Sequence, residues 1–565
     1  MTEERTFKAW HRGSDMTRRD VLKKGLGAAA VLAAGGTGAA LRSGGWTAIA
    51  GEPYDCVIRG GLVYDGISSE PRQADVAVRG DRITAVGRIE GPAARVVQAD
   101  GLIVMPGFID VHTHCDLTFK RSGLKRHLAR VMPSWKGNYN YLHQGVTTVV
   151  TGNCGYGYTD VDYWFGLLED IGFGTNVYHL APHGMLREAL FGPDHQGPLN
   201  ASQLDRLAGR VEEEMQKGAV GLSAGLEYAP GIWADVREIS TCARAARKHG
   251  GLFTVHMRDE SGAVKPGGRP ALLESIAEVV EAARQAEVGL EISHLKISAP
   301  YNDLRPGQVF DLIEEARRQG LDVTADQYPY TAGSTYISIL LPDEFKSGLG
   351  VKDRYKTRSG QVEIEKAMAE VFSYLPPDRI LISFDPNDET REGKTLEVLA
   401  ETTGRTPARA YAEMVCEDPP PTGIFFMMKE ADVRALMQPD YVMTASDGWT
   451  VPKDMTKPHP RCYGTFPKKI REYVLKERIV DLPRAIRSMT SQPAEKFRLK
   501  DRGRIEVGYF ADIAVIDLKG LNHHASYLDP HQYASGVRHL LVNGVAAIEN
   551  GQATGERGGR ACRRS

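Results

Sequence analysis

Two histidines one residue apart, His112 and His114, close the run Met105-Pro-Gly-Phe-Ile-Asp-Val-His-Thr-His-Cys-Asp116. Ile103 to Val111 is rich in branched and aromatic residues, broken only by Pro106-Gly107, and reads as a buried parallel strand. Side chains alternate along a strand, so both imidazoles share a face and can reach one ion. Other apolar runs end in comparable residues. Gly145-Val-Thr-Thr-Val-Val-Thr-Gly-Asn-Cys-Gly155 supplies Cys154, and Leu252-Phe-Thr-Val-His256 supplies His256. Leu290-Glu-Ile-Ser-His294 supplies His294, and Tyr441-Val-Met-Thr-Ala-Ser-Asp447-Gly448 supplies Asp447. Any one of these alone reads as an ordinary structural residue. Six at matching strand ends are hard to explain as core filling. Imidazole, thiolate and carboxylate together suit Zn²⁺.

These residues converge only if their strands are neighbours. Apolar runs end near Val111, Val150, Leu180, Leu222, Val255, Ile292, Ala325 and Thr444. Most are spaced as one βα unit of about 30 or more residues. Between them, Leu204 to Met215 and Ala271 to Ala286 carry apolar residues at three- and four-residue spacing, as amphipathic helices do. The rhythm predicts an α/β fold, a (β/α)₈ TIM-like barrel over 105–489 with its site at the C-terminal strand ends. The last gap is too long for one unit. It predicts a subdomain inserted after the seventh strand, about 335–435, punctuated by Pro376-Pro377 and Pro419-Pro-Pro421. Tyr54 to Gly66 and Asp75 to Gly87 read as strand and hairpin, and Gly508 to Asp517 and Val537 to Ile548 repeat that texture. A lone hairpin is marginally stable. Residues 51–104 and 490–550 therefore predict one small β-sandwich built from both chain ends, with 551–565 as a C-terminal tail.

At 565 residues, the chain is too long for one simple core and suits a large barrel with satellites. A formal net charge of −2, with no long run of one sign, predicts no nucleic-acid partner. Near the N-terminus, Thr17-Arg-Arg-Asp-Val-Leu-Lys23 resembles a twin-arginine export motif. A Gly/Ala-rich run from Gly25 to Leu41 and the small-residue pattern Ala48-Ile-Ala50 follow. Residues 1–50 are expected to be a signal peptide, too glycine-rich for a stable membrane anchor. The expected partner is the twin-arginine export machinery, and the expected location is the periplasm or outside the cell. Seven cysteines show no disulfide-framework spacing. An odd count in an oxidising compartment implies a thiol with another job.

Longer motifs sharpen the pattern: Val149-Val-Thr-Gly-Asn-Cys-Gly155, Gly225-Leu-Glu-Tyr-Ala-Pro-Gly231, His256-Met-Arg-Asp-Glu260, Ser293-His-Leu-Lys296, Tyr328-Pro-Tyr-Thr-Ala-Gly-Ser334 and His459-Pro-Arg-Cys-Tyr-Gly-Thr-Phe-Pro467. With the two-histidine strand, they resemble the amidohydrolase superfamily and, within it, the D-aminoacylase (N-acyl-D-amino-acid deacylase) family, over about residues 54–550. The resemblance implies a tight zinc on Cys154, His256 and His294. It implies a second, weaker metal position on His112, His114 and Asp447 that shares the cysteine. The fourth strand, Ala219 to Glu227, holds no bridging lysine, which favours the cysteine-ligand branch. Cys115 stands where the family commonly has Asp.

The implied activity is hydrolysis of N-acyl-D-amino acids. Alternatives are hydrolysis of cyclic amides or D-residue dipeptides, and a non-catalytic scaffold. Asp447 is expected to move protons between the attacking water and the leaving amine, or to serve as a metal ligand only. Tyr228 is either an oxyanion donor or a turn aromatic packed beneath its loop. Lys296 and Arg461 match the positions that hold the substrate carboxylate, with Tyr328 and Ser334 beside them. Arg461 is expected in a loop over the mouth. His179 and His183, after the third strand, are expected to be supporting or structural.

Overall fold

Two sets of short parallel strands carry the expected ligands. The structure, a computed structural model, describes residues 53–564 apart from 121–122, 194, 265–266, 347–349 and 454. The export motif and the rest of 1–50 lie outside the described residues. The first set runs in the order Phe108–Asp110, Val146–Thr151, Asn176–His179. The second runs Ala181–Pro182, Gly221–Gly225, Leu252–His256, Leu290–Ile292, Val323–Gln327, Val442–Thr444. Every residue of these strands is buried, as expected of parallel strands covered on both faces. Asn176–His179 passes into Ala181–Pro182 across Leu180, and a parallel bridge joins Thr113 to Gly448.

Helices separate consecutive strands and cover them. In Ala201–Gln216 the buried residues Leu204, Leu207, Val211 and Met215 form one stripe. Its start is fixed by a capping box: Asn200 Oδ1 accepts from Gln203 N and Gln203 Oε1 from Asn200 N, each at 3.0 Å. Val236–Lys248 and Ala271–Ala286 follow the same plan, and Asp235 caps the first of them.

The two chain ends meet in one nine-stranded sheet. Its seam pairs Ile513–Ile516 antiparallel with Ile103–Pro106, in the register Val515↔Val104 and Ala514↔Met105. Residues 559–564, expected as a tail, are tied down: bridges join Phe173 to Gly559 and Val177 to Ala561, and Arg564 N–H donates to Gly218 O at 2.9 Å. The segment after Val323–Gln327 forms its own antiparallel sheet, in the order Gly333–Tyr336, Thr422–Phe425, Ile380–Phe384. It also has its own apolar core, which includes Ile337, Ile364, Met368, Ile382, Tyr411 and Phe425. Among the described residues no helix is long and apolar enough to cross a membrane.

Candidate metal centre

Each expected ligand sits where a strand gives way to a turn. His112 and His114 follow Phe108–Asp110, and Asp110 Oδ1 accepts the His112 N–H at 3.2 Å. Cys154 lies in the turn Asn153–Gly155 with φ 55°. Asn153 Nδ2 fixes that turn by donating to Val111 O, Thr113 O and Val150 O at 3.2, 3.4 and 3.0 Å. His256 ends its strand, whereas His294 and Asp447 follow theirs with φ of 36° and 50°. Left-handed backbone at a non-glycine residue costs about 1–3 kcal/mol, so Cys154, His294 and Asp447 must be held there by their surroundings. Hydrogen bonds do this: His294 N–H donates to Asp326 Oδ1 and Asp447 N–H to His112 O, both at 2.9 Å.

The side chains converge. Cys154 Sγ lies 3.2 Å from His112 Nε2 and 3.7 Å from His294 Nε2. His256 Nδ1 is 2.7 Å from His294 Nε2. Asp447 Oδ1 is 3.2 Å from His114 Nε2 and 3.6 Å from His112 Nε2. Within each of three trios the ligand atoms lie within 4.8 Å of one another: His112, His114, Cys154; Cys154, His256, His294; His112, His294, Asp447.

Sequence reasoning missed what stands behind the imidazoles. His112 Nδ1 faces Asp326 Oδ2 at 3.3 Å, His294 Nδ1 faces Glu260 Oε1 at 2.9 Å, and His256 Nε2 faces Glu227 Oε2 at 2.8 Å. In His112, His256 and His294 one ring nitrogen points into the cluster and the other meets a carboxylate. That arrangement fixes the tautomer and raises the basicity of a metal-binding imidazole. The donor set therefore fits zinc. Glu260 was within view, four residues after His256, and Asp326 follows the last apolar residue of its run. Neither spacing shows which imidazole each acid meets.

The charges agree. Burial alone raises the Cys154 thiol, but the His112 charge and hydrogen bonds from His112, His114 and His256 hold it well below its ordinary range. Burial likewise raises Asp447, and Arg461, His114 and His112 outweigh it, so the carboxylate stays ionised. Glu260, opposed by burial, is drawn down to about 2 chiefly by Lys296 and His294.

The cavity above these groups has a volume of about 1440 Å³, and Tyr228, Lys296, Tyr328, Ser334 and Arg461 all line it. Tyr228 Oη donates to Thr335 Oγ1 at 3.3 Å, and its ring lies 4.6 Å from that of His256. Lys296 is buried in an ion pair with Glu260. Arg461 opens the helix Arg461–Lys468 instead of sitting in a mouth loop, because Pro460 breaks the chain just before it. Its Nη1 meets Asp447 Oδ2 at 2.8 Å, Nη2 donates to Ser334 O at 3.3 Å, and the guanidinium covers Tyr328 at 4.8 Å. Buried Arg461 Nε meets no acceptor among the described residues. Cys115 belongs to none of the trios; its buried thiol is pushed up to about 12 by desolvation. His183 pairs with Glu238 and His179 with Thr151 and Tyr158 O, away from the trios.

The model of the Amidohydrolase family matches residues 179–548. N-acyl-D-glutamate deacylase of Alcaligenes xylosoxydans xylosoxydans is 33% identical over 91% of this chain and 97% of its own. D-aminoacylase from the same organism is 30% identical over 91% and 98%. The crystal structure of N-acyl-D-glutamate deacylase from Bordetella bronchiseptica, complexed with zinc and a phosphonate mimic of the tetrahedral intermediate, superposes with a TM-score of 0.76. It is 28% identical and covers 91% of this chain and 100% of that one. With the match running nearly end to end in sequence and in structure, the chain belongs to the amidohydrolase family, in its D-aminoacylase branch.

Proposed function

We propose that this chain is a zinc-dependent hydrolase of N-acyl-D-amino acids that releases a carboxylate and a free D-amino acid. The relatives supply the substrate class. The observation that carries the chemistry is the Cys154, His256, His294 cluster with acid-backed imidazoles, set beside Arg461. Those three residues hold the tight zinc. His112, His114 and Asp447 form a weaker position that shares Cys154. At the Cys154, His256 and His294 position zinc would supply Lewis acidity, acidifying the attacking water and polarising the amide carbonyl.

The chain's own groups position and move the rest. Asp447, kept ionised by Arg461, takes a proton from the attacking water and returns it to the leaving nitrogen. The water oxygen ends on the acyl carbon as the C–N bond breaks and the amine departs. Tyr228 Oη, whose partner Thr335 is a replaceable hydroxyl, turns to the developing oxyanion. Arg461 Nε pairs with the substrate carboxylate. Lys296, Tyr328 and Ser334 bound that end of the site.

We also infer that the parallel strands close into a (β/α)₈ barrel within 105–489. The passage through Leu180 at one junction and the Thr113–Gly448 bridge at the other support this. The inserted subdomain is about 335–435, supported by its separate core. Residues 51–104 and 490–550 form a β-sandwich, supported by the packing of Ile513 and Val515 with Ile58 and Val76. Residues 1–50 direct twin-arginine export to the periplasm or beyond; exchanging Arg18 and Arg19 for lysine leaves the protein in the cytoplasm, and undiminished export refutes the reading. The test of the activity is a panel of N-acetyl-D-amino acids, their L forms, cyclic imides and D-dipeptides, with zinc content measured alongside. Turnover confined to the D series is expected. Turnover of the cyclic imides alone, or of nothing, overturns it.

A further inference from the structure

The same cavity is also lined by apolar side chains from two parts of the chain: Ile232 and Trp233, which follow Gly221–Gly225, and Ile339, Leu340, Ala367 and Phe384 of the segment after Val323–Gln327. All six are half-buried. Ile339, Leu340 and Ala367 also pack against the insertion's own core, so a stable subdomain holds their remaining faces toward the cavity. The volume, about 1440 Å³, exceeds the roughly 300–1,000 Å³ typical of pockets for drug-sized ligands. An N-acetylated small amino acid leaves most of it unfilled.

The charges lining the same cavity are one-sided. Among the described residues its Lys and Arg side chains are Arg258, Lys296 and Arg461. Every nitrogen of Arg258 already meets an acceptor. Its Nε and Nη2 meet Glu278 at 2.9 and 2.8 Å, and its Nη1 and Nη2 meet Ile232 O and Ala234 O, each at 2.7 Å. Lys296 is held by Glu260 and His294. Arg461 pairs its Nη1 with Asp447 at 2.8 Å, yet Nε and Nη1 make no hydrogen bond among the described residues, and one carboxylate satisfies that edge. The lining also includes Asp259, Glu274, Glu344 and Glu370, which repel a second carboxylate.

Resting on the deacylase reading above, we propose that this chain's substrates are singly charged N-acyl-D-amino acids bearing one extended apolar group, which lies along the wall formed by Ile232, Trp233, Leu340 and Phe384. N-acyl-D-glutamate and N-acyl-D-aspartate are excluded, although deacylases for both are among the relatives. The apolar group is either the acyl chain or the amino-acid side chain. Both present the same surface to the wall, and the kinetics separate them.

The experiment measures kcat/KM of the zinc-loaded protein on two series. One lengthens the acyl chain on D-alanine from acetyl to octanoyl. The other enlarges the side chain of the N-acetyl compound from D-alanine to D-leucine and D-phenylalanine. N-acetyl-D-glutamate is the charged control. A rise of about three- to fourfold per added methylene is expected along one series, which identifies the group, with the glutamate compound at or below N-acetyl-D-alanine. Leu340→Asp should flatten that slope, and Ala367→Phe should shorten the longest group accepted. Turnover that is flat along both series, or fastest on N-acetyl-D-glutamate, overturns the proposal and leaves the deacylase reading standing. No turnover of any N-acyl-D-amino acid overturns both.

Discussion

At the scale of single residues, Cys154 and Asp447 separate metal binding from proton transfer. Cys154 belongs to the trio with His256 and His294, so Cys154→Ala should lose tightly bound zinc and activity together; metal analysis beside a rate assay checks this. Asp447→Asn keeps the shape but removes the base. It should lower kcat by about 10²–10⁴ while the tight zinc on Cys154, His256 and His294 is retained. Arg461→Ala should mainly raise KM for N-acyl-D-amino acids, by a loss on the order of 2–5 kcal/mol, and affect the carboxyl-amidated analogue less. Because Arg461 also holds Asp447 ionised, some loss of kcat at the acid end of the pH profile accompanies it. The carboxylates behind the imidazoles act through the ligands. Glu227→Gln, behind His256, should weaken zinc about 10–100-fold in a chelator competition. Asp326→Asn, behind His112, should leave the tight zinc unchanged and weaken only the second metal.

At the scale of elements, the segment Lys469–Lys476 buries a cation without a carboxylate partner in hydrogen-bonding reach among the described residues. Lys469 is 3% exposed, and its Nζ donates to Thr444 Oγ1 at 2.7 Å. Burial, helped by the Arg484 charge, lowers its pKa from 10.5 to about 7. The folded value lies below the unfolded one, so between about pH 7 and 10.5 the unfolded chain binds more protons. Stability from this residue therefore rises with pH across that window, and below it the desolvation cost is present in full. Lys469→Met should stabilise the protein more at pH 6 than at pH 10, with the difference on the order of a few kcal/mol. Denaturant melts of both proteins at the two pH values measure it. An equal effect at both would show that the lysine stays charged.

At the scale of the whole molecule, the seam between the chain ends joins the flanking sheet into one piece. Val515 is wholly buried opposite Val104. Val515→Asp places a charge between strands from opposite ends of the chain and should cost at least 3–5 kcal/mol, by the usual scale for an uncompensated buried charge. Leu528, 71% exposed, serves as the control: Leu528→Asp should change stability by no more than about 0.5 kcal/mol. Thermal melts compare the two. The cavity is likewise a property of the whole, since its ligand cluster comes from the parallel strands and its apolar lining from Ile232, Trp233 and the segment after Val323–Gln327.

The sequence by itself determined the donor types and their places at strand ends. It did so because the strand repeat is local: His112 and His114 share a face by alternation, and each apolar run ends visibly. An interval too long for one strand–helix unit, between Gln327 and Val442, also marked where the structure forms a separate antiparallel sheet with its own core. Which acid backs which imidazole was decided only by the tertiary structure. Asp326 lies 214 residues from His112, and nothing in that spacing encodes a 3.3 Å approach. Lys296 was expected to hold the substrate carboxylate, and only folding set it against Glu260. Arg461 looked like a loop residue until it opened a helix and met Asp447. The apolar lining and the unmet donor edge of Arg461 emerge only when distant segments surround one space, because complementarity of charge and volume is a property of that space and not of any segment that borders it.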